Sequence, residues 1–112
     1  MDEKPLTESR CVPCAGGVEA LKGESLCMYA KQISKDWMIL NEHHLEKGIR
    51  FKNFVDALAF VNKVGALAEA EGHHPDIWLS WGEVKVIIYT HKINGLHQND
   101  FILAAKIDKL LP

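Results

Sequence analysis

No apolar run in this 112-residue sequence approaches the roughly 18 residues of a membrane-spanning helix. Its first residues, Met-Asp-Glu-Lys-Pro, have no apolar core of the kind that marks a secretion signal. A membrane partner is therefore not expected, and the cytoplasm is the expected compartment. Positive charge is nowhere concentrated: 13 Lys and Arg are interspersed with 15 Asp and Glu, for a formal net charge of -2. Without a basic stripe, the chain has nothing to follow a phosphate backbone, and nucleic acid is not an expected partner. Cysteine is scarce. Cys11, Cys14 and Cys27 are odd in number and do not suggest a disulfide framework. Cys11-Val-Pro-Cys14 has the spacing of half a zinc site or of a redox pair. A second ligand pair at matching spacing is missing, so the motif is read as part of a loop. A cysteine or serine nucleophile at a fixed spacing is also missing.

The chain is 47% apolar and 25% charged, the balance of an ordinary globular domain, and its length suits one core. Residues 1–22 are polar, carry Pro5, Pro13 and Gly16-Gly17, and show no period that would bury a face. They are expected to form an arm, and residues 23–112 a single domain.

Within that domain the periodicity changes several times. Leu26, Tyr29, Ala30 and Ile33 recur at helical spacing from Glu24 to Ile33. Trp37 to Leu40 and Leu45 to Phe51 suit a hairpin, with Leu45, Lys47, Ile49 and Phe51 on one face. Asn53 can cap a helix over 53–72, with Asp56 in the capping-box position and an apolar stripe of Phe54, Leu58, Val61, Gly65 and Ala68. Ile77 to Trp81 and Val84 to His91 are β-branched and aromatic, with a turn at Gly82-Glu83, and predict a second hairpin. Asp100 to Leu111 closes the chain as a helix whose broad apolar surface suggests a partner subunit. The order helix, strand, strand, helix, strand, strand, helix predicts an α+β fold with an antiparallel four-stranded sheet covered by helices on one face.

The chemistry concentrates where the middle helix ends. His73 and His74 stand there before Pro75, with Glu69 one turn earlier. Histidine titrates near neutral pH, so imidazoles beside carboxylates can move protons without a cofactor. If His91, at the end of the last strand, lies near them, three imidazoles converge, and hydration or dehydration fits such a set. A zinc site is a rival, although adjacent His73 and His74 tend to point apart. A purely structural role is another: His73 capping the helix, His74 packing beside Trp78 or Trp81, and His91 ending a strand. Asp100 is placed to cap the last helix. His43-His44 repeats the dipeptide in a turn, where solvation is expected, and His97 is read as surface.

Glu69, His73-His74-Pro75, Trp81, His91 and Asp100 keep the spacing of the pterin-4a-carbinolamine dehydratases. With Arg50 to Phe54, Thr90-His91, Gly95-Leu96 and Leu103-Ala104, the chain resembles that family over residues 24–111. Cys11 to Gly17 resembles an extension of some microbial members. His97 departs from the Ser or Thr that often caps the helix there, and Trp81 from a frequent Tyr. The resemblance implies a hydro-lyase that needs neither cofactor nor metal and turns 4a-hydroxytetrahydropterin into quinonoid dihydropterin and water during tetrahydropterin recycling. It implies acid and base roles for His73 and His91 and a substrate-orienting role for His74. Glu69, Pro75, Trp81 and Asp100 are implied as supporting or substrate-binding positions, and a homodimer or homotetramer as the assembly. A role in molybdopterin metabolism, or as a non-catalytic binding protein that promotes a partner's dimerisation, is the alternative the family allows.

Overall fold

The computed structural model describes residues 6–9 and 19–111; Cys11 and Cys14 lie outside the described residues. Helix α1 (Gly23–Ala30) is followed by strands β1 (Met38–Leu40) and β2 (His44–Arg50), then by helix α2 (Phe54–Glu71). Strands β3 (Asp76–Ser80) and β4 (Glu83–Ile88) and helix α3 (Gln98–Asp108) complete the order. This is the α+β succession that the changes of period predict.

The four strands form one antiparallel sheet in the order β1-β2-β4-β3, so the return strand of the second hairpin pairs with β2. The register places Leu45 opposite Ile88, Lys47 opposite Val86 and Ile49 opposite Val84. Strand side chains alternate between faces, which puts these residues on one surface. Leu45, Val84, Val86 and Ile88 are fully buried there under the helices, while Trp78 and Lys85 on the other surface are exposed.

Helix α2 starts as its sequence dictates, because the Asn53 side chain accepts a hydrogen bond from the Asp56 backbone N–H at 2.8 Å. It ends at Gly72, which adopts a left-handed φ of 66° that other residues resist. The buried stripe shares Ala68 with the expected one and keeps Val61 at its edge, but is otherwise shifted. Ala57, Phe60, Val64 and Ala68 face the core, whereas Phe54 and Leu58 are exposed and Val55 is 73% exposed. The helix is apolar on more than one side, so two stripes satisfy the period. The small Ala57 and Ala68 mark the side on which neighbouring elements approach closely.

Helix α3 is the centre of the core. Phe101, Ile102, Leu103, Ala104 and Ile107 are buried beneath α1, α2 and the short turn at Leu6–Glu8. The apolar surface expected to face a partner subunit is thus used within the chain. One charged pair is built into this packing. Lys47, only 6% exposed, reaches Asp108 at 2.7 Å, and the same carboxylate accepts from the Trp37 indole N–H at 3.0 Å. Asp108→Ala would leave a buried ammonium and a buried indole N–H without their acceptor. The expected cost is about 3 kcal/mol of unfolding free energy, read from urea denaturation, whereas an exposed change such as Lys85→Ala should move it by under about 0.5 kcal/mol.

Candidate active site

Gly72 turns the chain sharply out of α2, and Pro75 prevents the helix from resuming, so residues 73–75 link α2 to β3 without regular structure. The backbone N–H of His73 donates to the Ala68 carbonyl at 3.2 Å, which completes the helix cap. The two neighbouring imidazoles point apart, as expected of adjacent residues. The His73 ring turns inward, with Nε2 2.6 Å from Asp100 Oδ1. The His74 ring turns outward to Glu69 Oε2 and remains exposed.

Glu69 and Glu71 sit at the negative end of the α2 dipole, where a carboxylate is unfavourable unless paired. Both are paired. Glu69 holds His74, and Glu71 accepts from the Lys106 ammonium at 2.7 Å, which ties the end of α2 to α3.

Asp100 lies in the first turn of α3 and is 0% exposed. Its Oδ2 accepts from the His97 backbone N–H and from the Thr90 hydroxyl, each at 2.8 Å. The His97 ring completes the reciprocal cap by accepting from the Asn99 N–H at 3.4 Å, so an imidazole does the work of the usual hydroxyl. With one oxygen taken by two donors, the carboxylate presents the other as an acceptor to His73. His73 therefore carries its proton on Nε2 when neutral and keeps a lone pair at Nδ1. Three separate elements meet on this carboxylate: the exit of α2, the end of β4 and the start of α3.

His91 follows Thr90 directly. It opens a short 3-10 turn, His91–Ile93, instead of continuing β4, and Asn94 ends that turn with a left-handed φ of 50°. The turn is closed at its base, since the Thr90 N–H donates to the Gly95 carbonyl at 2.8 Å. Gly95 has no room for a side chain, because a Cβ there would lie 2.6 Å from the Ala20 methyl. The His91 imidazole is exposed and rests on the Tyr89 ring, with centroids 4.2 Å apart. The turn brings the two rings together although β4 ends at Ile88, short of the strand end at His91 that the sequence predicts.

The structure therefore joins His73 and Asp100 directly and anchors His91 to the same carboxylate through its neighbour Thr90. His74 and Glu69 form a separate, exposed pair. Pro75 is half-buried between them and β3, and Trp81 stands exposed in the β3–β4 turn, at the far end of β3 from the histidines. Among the described residues, no group of three His, Cys, Asp or Glu is arranged to hold a metal ion. Thr90 is visible in the sequence as a family-like position and a polar residue in phase with the buried Val86 and Ile88, but its place in the site is not. The sequence also suggests solvation for His43 and His44, yet both are half-buried, and His43 packs at a tilt against Tyr89 with centroids 4.5 Å apart.

The chain has relatives among known proteins. The family model for pterin 4 alpha carbinolamine dehydratase matches residues 19–110. A protein of Rubrobacter xylanophilus named "Putative pterin-4-alpha-carbinolamine dehydratase" is 52% identical over 105 residues, covering 94% of this chain and 97% of its own. One of the same name from Alkaliphilus metalliredigens is 49% identical over 104 residues, covering 93% and 94%. Among solved structures, a transcriptional coactivator/pterin dehydratase from Brucella melitensis superposes with a TM-score of 0.76 at 22% identity, over 84% of this chain and 100% of that one. A pterin dehydratase-like RuBisCO assembly factor of the alpha-carboxysome gives 0.58 at 23% identity, over 67% and 88%. At those identities the two structures speak to the fold alone.

Proposed function

The chain belongs to the pterin-4a-carbinolamine dehydratase family, and from that premise we propose that it removes water from 4a-hydroxytetrahydropterin to give quinonoid dihydropterin, in the recycling of tetrahydropterin. The observation that carries the proposal is the shared carboxylate: Asp100 holds the His73 ring at 2.6 Å and, through Thr90 at 2.8 Å, the segment that bears His91.

The reaction asks for two proton transfers around one bond cleavage. The C4a–O bond breaks, the departing oxygen takes a proton to leave as water, and the neighbouring ring nitrogen gives up its proton as its electron pair forms the C=N bond. One imidazole in its protonated form and one in its neutral form meet that demand, and the proton count closes within the pair. His73 suits a role in this exchange because Asp100 fixes both its ring and its tautomer, leaving Nδ1 for the substrate. His91, exposed on the far side of Thr90, supplies the second imidazole. His74 and Glu69 form an outward-facing pair that can orient the flat pterin ring.

The test is a stopped-flow dehydration assay on freshly generated 4a-carbinolamine, run with and without a strong chelator. The expected result is a rate well above the spontaneous one and indifferent to chelator. A rate no faster than the spontaneous reaction would sink the dehydratase reading, and activity abolished by chelator would sink the purely imidazole-based mechanism.

A further inference from the structure

We infer that His43 is a positioning residue for His91, acting through Tyr89 and Asn94; the inference rests on the acid–base role proposed above for His91.

The β1–β2 turn that carries His43 is firmly set. Asn41 and Glu42 both adopt left-handed φ values, 55° and 52°, and the His43 N–H closes the turn on the Leu40 carbonyl at 2.9 Å. The Glu42 carboxylate accepts from the Gly23 N–H at 3.1 Å and pins the turn to the start of α1. So held, the His43 ring reaches both flanks of the turn that displays His91. On one flank it packs on Tyr89, whose ring in turn supports His91 at 4.2 Å. On the other flank its Nε2 lies 2.9 Å from Asn94 Oδ1, and Asn94 is the left-handed residue whose own N–H donates to the His91 carbonyl at 3.1 Å.

The proton count is consistent around the ring. An amide oxygen only accepts, so His43 donates from Nε2. Neutral His43 then accepts at Nδ1, where His44 Nδ1 lies 3.0 Å away and serves as the donor. His43 is thus fixed in orientation and tautomer, and it transmits that order to an exposed imidazole that would otherwise be free to change rotamer. General acid–base transfer depends on the reacting group being held within a fraction of an ångström of its productive position. A brace of this kind acts on turnover and not on substrate affinity.

The experiment combines dehydration kinetics with NMR of imidazole-labelled full-length protein, comparing wild type with His43→Ala, Asn94→Gly, Tyr89→Leu and Tyr89→Phe. Asn94→Gly keeps the left-handed backbone accessible while removing the acceptor. In His43→Ala and in Asn94→Gly, the His91 ring protons are expected to lose part of the upfield displacement that the Tyr89 ring imposes. kcat is expected to fall about tenfold with KM within about twofold of wild type. Tyr89→Leu should show the same changes more strongly, and the conservative Tyr89→Phe should restore them. His91 resonances and kcat unchanged in both His43→Ala and Asn94→Gly would overturn the inference while leaving the dehydratase reading intact. A wild-type protein with no dehydratase activity would remove that reading, and the His91 resonances would still decide whether His43 braces the turn.

Discussion

Asp100→Asn is expected to lower kcat for dehydration by about a hundred- to ten-thousandfold while the protein stays folded. The amide cannot be placed freely. Thr90 and His97 both donate to Oδ2, at 2.8 Å each, so the amide oxygen must take that position. The NH2 group then faces His73 Nε2 in place of the oxygen now 2.6 Å away. A donor facing a donor is untenable, and His73 must move its proton to Nδ1. The nitrogen left for the substrate then bears a hydrogen where the wild-type ring, when neutral, has a lone pair, and the cationic ring loses its counter-charge. Imidazole 15N shifts report the tautomer directly and should exchange between the two ring nitrogens of His73. Wild-type turnover with an inverted tautomer would show that His73 moves no proton in the reaction. Asp100→Ala is a harsher change, because it strands the Thr90 hydroxyl, the His97 N–H and His73 together. It should cost about 3 kcal/mol or more of stability, which would confound the kinetics.

The parts of the fold that were legible in sequence are those set by local chemistry. Asn53 announced the start of α2, and Gly72 with Pro75 its end. The alternation Leu45, Lys47, Ile49 gave the inward face of β2 even though one member is a lysine. Its meaning was not legible, since Asp108, which neutralises Lys47, lies far along the chain. The buried side of α2 was misassigned because Phe54 and Leu58 are more hydrophobic than Ala57, and hydrophobicity says nothing about where close approach requires a small residue. The candidate site divides in the same way. His73 and Asp100 were visible as a helix exit and a helix cap, each a local feature. Thr90 and His43 join the site only through tertiary contacts: a hydroxyl in the buried phase of β4 that meets a carboxylate, and a turn imidazole carried onto Tyr89. Even the dipeptide His43-His44, discounted beside His73-His74, acquires its neighbours from the pairing of β2 with β4.

His91→Ala is expected to lower kcat/KM by about a hundredfold or more at nearly unchanged stability. The imidazole is exposed, and its removal forfeits one ring contact with Tyr89, which is worth about 1 kcal/mol or less. A large kinetic loss without unfolding would therefore be chemical in origin, and unchanged kinetics would return His91 to the surface. His74→Ala separates a different role. If the exposed His74–Glu69 pair orients the pterin ring, its removal raises KM more than it lowers kcat, the reverse of the His91 pattern. The pairing of His73 with His91 can be tested by combining them. If one imidazole delivers the proton to oxygen as the other takes it from nitrogen, both act in the same transition state, and losing either already ends concerted transfer. The double variant His73→Ala/His91→Ala should then be little worse than the worse single variant, because residues that act as a unit do not add. Losses that multiply would instead mean that the two histidines contribute independently to the transition state, with Asp100 serving His73 alone.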